Sequence, residues 1–218
     1  MTLRIVVTGT DTDIGKTVFA AGLTRLLEGI YWKPVQAGLD GETDTDTVRR
    51  LSGLDHSHFL KEAWRLKLAA SPHLAAEQEG VAVDTAALAV PAVNRPLIIE
   101  GAGGLMVPLN RGELYIDVFA RWNVPVVLCA RTVLGTLNHT LLSLEALRRR
   151  GIPVIGIALM GDPHADNERT LAAMGGVPVL GRLPRLDPLT PQSLRAAFEV
   201  AFPRKLFLPD SVDRVGIS

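Results

Sequence analysis

The stretch Gly9-Thr10-Asp11-Thr12-Asp13-Ile14-Gly15-Lys16-Thr17 decides the fold class of this chain. It follows an apolar, β-branched run at residues 3–8, which predicts a buried strand, and it opens a helix expected to run from residue 16 towards 28. Small residues here let backbone N–H groups converge on a phosphate, and the helix N-terminus adds positive potential. The stretch therefore predicts a phosphate-binding loop for a nucleoside triphosphate, although five residues rather than four separate Gly9 from Gly15.

Further apolar runs recur along the chain, with helical segments between them, at residues 30–35, 96–99, 124–130, 154–160 and 177–180. Runs without polar alternation are typical of strands buried on both faces of a parallel sheet, and their alternation with helices predicts right-handed βαβ units. We therefore expect an α/β fold of the P-loop NTPase type, in which a doubly wound, mostly parallel sheet has helices on both faces.

The chain is expected to form a single domain over residues 1–218, because no low-complexity linker or change in composition divides it. The polar residues 40–93 are predicted to leave the core as helices and loops, and the tail after about residue 204 is predicted to be peripheral. A last helix is predicted over residues 191–202, with Thr190 as its N-cap.

The charge balance argues against polyanionic partners. Lys and Arg total 23, as do Asp and Glu, whereas proteins that bind nucleic acid or anionic membranes are usually strongly basic. The three arginines at residues 148–150 precede Gly151 and are typical of a helix C-terminus. We see no secretory leader and no membrane-spanning run, and the single cysteine, Cys129, lies in an apolar run. We expect a protein of the reducing cytoplasm, with neither nucleic acid nor membrane as a partner.

Three residues near the predicted phosphate loop are candidates for nucleotide chemistry. Lys16 is expected to reach the β- and γ-phosphates, and the Thr17 hydroxyl is expected to ligate Mg²⁺. Glu100 ends the apolar run at 96–99, and ligands of open α/β sheets gather at the carboxyl ends of strands. Glu100 is therefore a candidate for the same magnesium site.

Two aspartates and a second lysine are further candidates. Asp44 and Asp46 lie where a loop leads into a helix. One of them can bind the metal while the other caps the helix, and the sequence leaves open which aspartate binds the metal. Lys33 lies at the end of the second apolar run, where its charge would stabilise a phosphoryl group in transfer.

Five motifs, in order across nearly the whole chain, resemble those of the dethiobiotin synthetase family. They are residues 9–17 quoted above, Lys33-Pro34-Val35-Gln36-Ala37-Gly38, Ser71-Pro72-His73, Glu100-Gly101-Ala102-Gly103-Gly104 and Leu134-Gly135-Thr136-Leu137-Asn138-His139. The resemblance implies a homodimeric, ATP- and Mg²⁺-dependent cyclo-ligase of biotin biosynthesis. Such an enzyme closes a cyclic urea on 7,8-diaminononanoate (7,8-diaminopelargonate) with CO2 from bicarbonate, giving dethiobiotin, ADP and phosphate.

The same resemblance implies a role for each matching position. The residues implied to contact the phosphates or the carbamate are Thr12, Lys16 and Lys33. The residues implied to bind the nucleotide are Asp13, Ile14, Gly15, Lys16, Thr17, Val18, Glu100, Gly101, Gly103, Met160 and Pro184. The implied Mg²⁺ ligands are Thr17, Asp46 and Glu100. The residues implied to bind the substrate are Lys33, Ala37, Gly135, Thr136, Leu137 and Asn138, the last four from across the dimer interface.

Two positions depart from the family pattern. Ala37 stands where many relatives have a hydroxyl, so we expect one polar contact to be missing or to be replaced by the backbone or by Gln36. Met160 stands where a relative has an Asn that reads the adenine edge, and a thioether cannot supply that donor and acceptor pair. We therefore expect relaxed base selectivity, with nucleotides other than ATP accepted.

An alternative interpretation is a P-loop ATPase of the partitioning or septum-positioning type, which acts as a switch without biosynthetic activity. Those proteins often have a lysine early in the phosphate loop, where this chain has Asp11 or Thr12. They also often present basic or amphipathic surfaces to DNA or membrane, whereas this chain has no net charge. The ligase interpretation is favoured.

Overall fold

The computed structural model describes residues 2–208, which fold around a parallel sheet. The strands in chain order are β1 (Arg4–Gly9), β2 (Ile30–Trp32), β3 (Val35–Ala37), β4 (Trp64–Leu66), β5 (Leu97–Glu100), β6 (Val126–Arg131), β7 (Val154–Met160) and β8 (Val179–Leu183). Six of them form one sheet in the order β2-β5-β1-β6-β7-β8, and every neighbouring pair is parallel. The predicted α/β class with a parallel sheet is confirmed.

Helices cover both faces of this sheet. Those of the described residues are α1 (Lys16–Leu27), α2 (Asp44–Ser52), α3 (Pro72–Gln78), α4 (Tyr115–Trp122), α5 (Thr136–Arg149), α6 (Ala165–Met174) and α7 (Pro191–Ala201), with short 3-10 helices at His56–His58 and Arg204–Phe207. One core cluster lies under α1 and α7, where the ring of Phe19 lies 5.2 Å from that of Phe198 and 5.1 Å from that of Phe202. The other cluster lies under α4 and α5 and includes Phe119 and Leu144.

The predicted strand at residues 30–35 is two strands in the structure. β2 ends at Trp32, and β3 begins at Val35 and pairs with β4 in a separate two-stranded sheet. Pro34 lies at the break, and a proline has no N–H to donate to a strand ladder. The chain leaves the main sheet at Lys33, which places that side chain at the carboxyl edge of the sheet.

The excursion over residues 40–93 contains α2 and α3, as expected, but also β4, which the polar sequence did not predict. The predicted peripheral tail begins with Arg204–Phe207, and Phe207 is fully buried, with its ring 6.4 Å from that of Phe19. This part of the tail belongs to the core of the α1 face, and residues 209–218 lie outside the described residues.

Helix ends agree closely with the predicted caps. Thr190 is the N-cap of α7, where its side chain accepts a hydrogen bond from the Ser193 N–H. The arginines at 148–150 form the C-terminus of α5, and each contacts a polar group: the Gly175 carbonyl, Glu145 and Asp117 in turn. The arginine run is therefore a helix end whose charges are already engaged.

Candidate active site

A cleft of about 760 Å³ opens at the carboxyl ends of β1 and β5. The site residues predicted from the sequence that line it are Thr12, Asp13, Ile14, Gly15, Lys16, Thr17, Val18, Lys33, Ala37, Glu100 and Gly103, together with Asp44. The edge of a parallel sheet where its strands end is the usual ligand site of this architecture. The structure thus brings most of the predicted residues together in one place.

The phosphate loop connects β1 to α1 in a tight turn. Gly15 is the N-cap of α1 with φ of 94°, a left-handed conformation that glycine adopts readily. A Cβ atom at Gly15 would lie 2.8 Å from Cε of Met160, the flexible end of the last side chain of β7. The Lys16 Nζ donates a hydrogen bond of 2.7 Å to the Asp11 carbonyl across the loop. The lysine thus lies inside the curve of the loop.

Arg131, at the end of β6, also holds this loop, and no sequence pattern singled it out. Its guanidinium donates a 2.6 Å hydrogen bond to the Thr12 carbonyl and lies 4.0 Å from the Asp11 carboxylate. The positive charge offsets Asp11, one of the two acidic residues that are unusual beside a phosphate site. The contact joins residues 119 positions apart, so only the fold brings them together.

A buried cluster of charges forms the floor of the cleft. The Lys33 Nζ lies 2.6 Å from Asp44 Oδ2 and 3.2 Å from Glu100 Oε1, and it donates a 2.8 Å hydrogen bond to the Gly101 carbonyl. The Thr17 Oγ1 lies 3.1 Å from Asp44 Oδ1 and 2.8 Å from Glu100 Oε1. Two carboxylates, one hydroxyl and one ammonium group therefore converge at one point.

The charges in this cluster shift one another's pKa. Burial by itself would lower the pKa of Lys33, but attraction to Glu100 and Asp44 outweighs it, and the pKa is raised. Burial opposes the charged form of Asp44, but Lys33 holds the pKa of that carboxyl below its usual value. Burial raises the pKa of Glu100 and lowers that of Lys16. Lys33 and Asp44 are therefore held firmly in their charged states.

Asp46, which the family resemblance gave to the metal, lies in a helix cap and not in this charged cluster. Thr43 is the N-cap of α2, and Asp46 forms a capping box with it: Asp46 Oδ2 accepts from the Thr43 Oγ1 at 2.6 Å and from the Thr43 N–H at 3.3 Å. Its other oxygen contacts Arg49 at 3.2 Å. Asp44, at the first position of the helix, contacts Thr17 and Lys33 instead.

Ala37 and its neighbour Gln36 both line the cleft, and the Gln36 side chain also contacts the backbone around it. The Gln36 Oε1 accepts a 3.2 Å hydrogen bond from the Asp44 N–H, and its Nε2 donates to the carbonyls of Ala37 and Gly38. Gln36 thus fixes the start of α2, which carries Asp44. From the sequence, Gln36 is expected only as a possible substitute for the hydroxyl, and its hydrogen bond to the start of α2 is not predicted.

The residues assigned to the base lie beside the cleft rather than in it. Met160 ends β7, where its side chain occupies the space that a Cβ atom at residue 15 would need, and Pro184 follows β8 and is exposed. Gly101 is buried and takes part through its carbonyl, which accepts from Lys33.

The predicted substrate residues of α5 do not line the cleft of their own chain. The residues in question are Gly135, Thr136, Leu137 and Asn138, at the start of that helix. Leu134, immediately before them, is fully exposed. Beside it Val133 is 55% exposed, so an apolar surface lies next to this helix N-terminus.

The oxygen atoms at the cleft suit an Mg²⁺ ion that is bound together with a nucleotide. Within residues 2–208 there is no cluster of three or more His, Cys, Asp or Glu side chains that suits a metal ion. The cleft instead offers one carboxylate oxygen each from Asp44 and Glu100, both within hydrogen-bond distance of the Thr17 hydroxyl. Mg²⁺ in such sites takes one or two carboxylates and completes its shell with phosphate oxygens and water. The residues therefore fit this ion.

The fold and the cleft together define the class of P-loop nucleoside triphosphatases. The AAA domain family matches residues 3–193. The chloroplast FtsY structure from Physcomitrella patens aligns with 91% of this chain and 65% of its own, with a TM-score of 0.54 and 14% identity. That likeness shows the fold alone. No helix in the described part of the chain is long and apolar enough to cross a bilayer.

Curated relatives narrow the class to one family. The ATP-dependent dethiobiotin synthetase of Rhodopseudomonas palustris strain BisB18 is 64% identical over 95% of this chain and 99% of its own length. The enzyme of that name from Rhizorhabdus wittichii is 60% identical over 96% of this chain and 100% of its own. The chain belongs to the ATP-dependent dethiobiotin synthetase family. The predicted family and its ligase function are confirmed, and the alternative of a partitioning-type switch is not supported.

Proposed function

We propose that the chain carboxylates 7,8-diaminononanoate with CO2 and closes the ring to dethiobiotin, with ATP and Mg²⁺, through the residues that converge at the cleft. The observation that carries this assignment is the cluster of Lys33, Asp44, Thr17 and Glu100 beside the phosphate loop. A reaction that needs two reactants aligned and phosphate charge neutralised asks for such a cluster rather than for a protein nucleophile.

The phosphate end of the site is assigned to two lysines and the loop backbone. Lys16 and the N–H groups at the start of α1 would bind the β- and γ-phosphates, because they meet at a helix N-terminus. Lys33 lines the same cleft and keeps its positive charge, so it is placed to stabilise the phosphoryl group while that group moves. Thr12 lines the cleft beside them and is assigned a phosphate or carbamate contact.

We assign the metal to Thr17, Asp44 and Glu100. When bound, Mg²⁺ supplies charge neutralisation and orientation to the phosphate oxygens. Glu100 presents Oε1 to the cleft, and Asp44 presents Oδ1 from the first turn of α2. Asp44 takes the place that the family resemblance gave to Asp46.

The chemistry then follows from alignment. One substrate amine bonds to the carbon of CO2 and loses a proton, which gives a carbamate. A carbamate oxygen takes the γ-phosphoryl group and releases ADP. The second amine attacks the carbamate carbon and expels phosphate, which closes the cyclic urea. Lys16 and Lys33, whose side chains are buried at the cleft, would hold the charged oxygens in these steps.

The substrate carboxylate is assigned to the start of α5 on a second copy of the chain. Residues 135–138 form a helix N-terminus, which suits an anion, and they do not line the cleft of their own chain. The exposed side chains of Val133 and Leu134 beside them are suited to burial in a homodimer interface. We propose a cytoplasmic homodimer in which each chain is one domain.

A direct assay tests the proposal. Purified protein is incubated with 7,8-diaminononanoate, bicarbonate, Mg²⁺ and ATP, and the cyclic urea is detected by mass spectrometry. We expect dethiobiotin and phosphate in equal amounts, and no product without Mg²⁺. Folded protein that makes no dethiobiotin with any nucleoside triphosphate would contradict the proposal.

A further inference from the structure

Tyr31, which does not line the cleft, contacts the carboxylate oxygen of Glu100 that Thr17 and Lys33 do not contact. Tyr31 is fully buried, and its hydroxyl donates a 2.8 Å hydrogen bond to Glu100 Oε2. The other oxygen, Oε1, lies near Thr17 and Lys33 at the cleft. The two oxygens of this one carboxylate therefore have separate partners on separate sides.

Strand register explains why Tyr31 reaches Glu100. Tyr31 of β2 pairs with Ile98 of β5, and Glu100 follows Ile98 by two residues on the same face of that strand. A diagonal neighbour at this distance is within reach of an aromatic side chain. The ring has little freedom, because it is enclosed in the core and packs 6.3 Å from the ring of Phe59. The hydroxyl is therefore held at one place.

We propose that Tyr31 is a positioning residue for the metal site, which holds Glu100 through Oε2 so that Oε1 alone faces the ion. This inference rests on the magnesium site proposed above. A hydrogen bond to an ionised carboxylate is about twice as strong as one between neutral groups. Partners of metal ligands orient the ligand, and their loss typically weakens metal binding by about 10–100-fold.

The chain provides a matched control in its other tyrosine. Tyr31 and Tyr115 are the two tyrosines of the sequence, and both are fully buried. The Tyr115 hydroxyl, however, has no hydrogen-bond partner among residues 2–208. The changes Tyr31→Phe and Tyr115→Phe therefore each remove one hydroxyl from a fully buried ring, and only the first removes a hydrogen bond to Glu100.

The test measures metal and nucleotide affinity separately. Mn²⁺ binding to the full chain with a non-hydrolysable ATP analogue is followed by the loss of the free Mn²⁺ signal in electron paramagnetic resonance. Affinity for the analogue in EDTA is measured by calorimetry. We expect Tyr31→Phe to weaken Mn²⁺ binding by about tenfold or more while metal-free analogue binding stays unchanged. Tyr115→Phe should change neither affinity, and equal effects of the two variants would overturn the proposal.

The variant Glu100→Ala separates failure of this inference from failure of the metal site. If Glu100→Ala leaves Mn²⁺ affinity unchanged, the magnesium site itself is wrong. If Glu100→Ala weakens it and Tyr31→Phe does not, only the role of Tyr31 is wrong. In the Glu100→Ala background, Tyr31→Phe should have no further effect, and a full additional loss would show that Tyr31 acts by another route.

A spectroscopic measurement on the unsubstituted chain keeps the inference testable if Tyr31→Phe does not fold. Labelling with 3-fluorotyrosine gives two ¹⁹F resonances, and Tyr115→Phe assigns them by removing one. Adding Mg²⁺ to the complex with the ATP analogue should shift the Tyr31 resonance more than that of Tyr115. A Tyr31 resonance that stays in place would contradict the proposal.

Discussion

Replacing Asp44 and Asp46 with alanine, one at a time, separates metal binding from helix capping. Asp46 is the third-position partner of the N-cap Thr43 in a capping box, and the loss of its hydrogen bond to the Thr43 N–H costs about 1 kcal/mol. For a chain of this size, that cost lowers the melting temperature by about 2–4 °C. Asp46→Ala should therefore melt earlier while its half-saturating Mg²⁺ concentration stays unchanged.

Asp44→Ala should instead raise the Mg²⁺ requirement. Asp44 contacts Thr17 and lies 2.6 Å from Lys33, so its loss removes a carboxylate from the floor of the cleft. Interactions with charged groups contribute about 1.5–3 kcal/mol, and each 1.4 kcal/mol is about a factor of ten. The half-saturating Mg²⁺ concentration should therefore rise by about 10–100-fold.

The assay is the initial rate of ring closure against free Mg²⁺ at saturating ATP, with scanning calorimetry on the same preparations. Circular dichroism verifies that each variant is folded. The reasoning is refuted if Asp46→Ala raises the Mg²⁺ requirement as much as Asp44→Ala does, or if Asp44→Ala leaves that requirement unchanged.

Four further outcomes are expected. Lys16→Ala should lower kcat by about 10²–10³-fold with an unchanged circular dichroism spectrum, because the lost charge acts on the transferring phosphoryl group, and near-normal kcat would exclude that role. CTP and GTP should support ring closure beside ATP, since Met160 offers no donor and acceptor pair, and strict ATP dependence would mean that another group reads adenine. Leu134→Asp should convert a dimer to monomer in light scattering and raise the KM for 7,8-diaminononanoate, whereas an unsubstituted chain that is monomeric contradicts the shared site. Thr190→Ala removes the cap of α7 and should cost about 1 kcal/mol in denaturant unfolding, with no change in kcat.

The parts of the fold that were predictable are those set by local sequence. Buried strands appear as unbroken apolar runs, and β7 matches its predicted bounds at residues 154–160. The cap at Thr190 and the phosphate loop before Lys16 are likewise local patterns. β4 was missed because it is a three-residue strand paired outside the main sheet, where a polar sequence is tolerated.

The contacts that complete the site were not predictable, because they join distant parts of the chain. Arg131 of β6 donates to the carbonyl of Thr12, and Tyr31 of β2 donates to Glu100 of the neighbouring strand β5. Neither residue belongs to a motif. Only the order β2-β5-β1-β6, in which β5 and β6 flank β1, brings each side chain to its partner.

The choice between Asp44 and Asp46 shows how a single helix boundary determines the chemistry of the site. With Thr43 as the N-cap, Asp44 is the first residue of α2 and Asp46 the third. Two residues turn an α-helix by about 200°, so the two carboxylates face nearly opposite directions and only one can meet Lys33. If Asp44 were the N-cap instead, the helix would begin one residue later, and each side chain would point about 100° further around the helix axis. Sequence patterns define helix ends only to within one or two residues, and that margin decides which aspartate contacts Lys33 and Thr17.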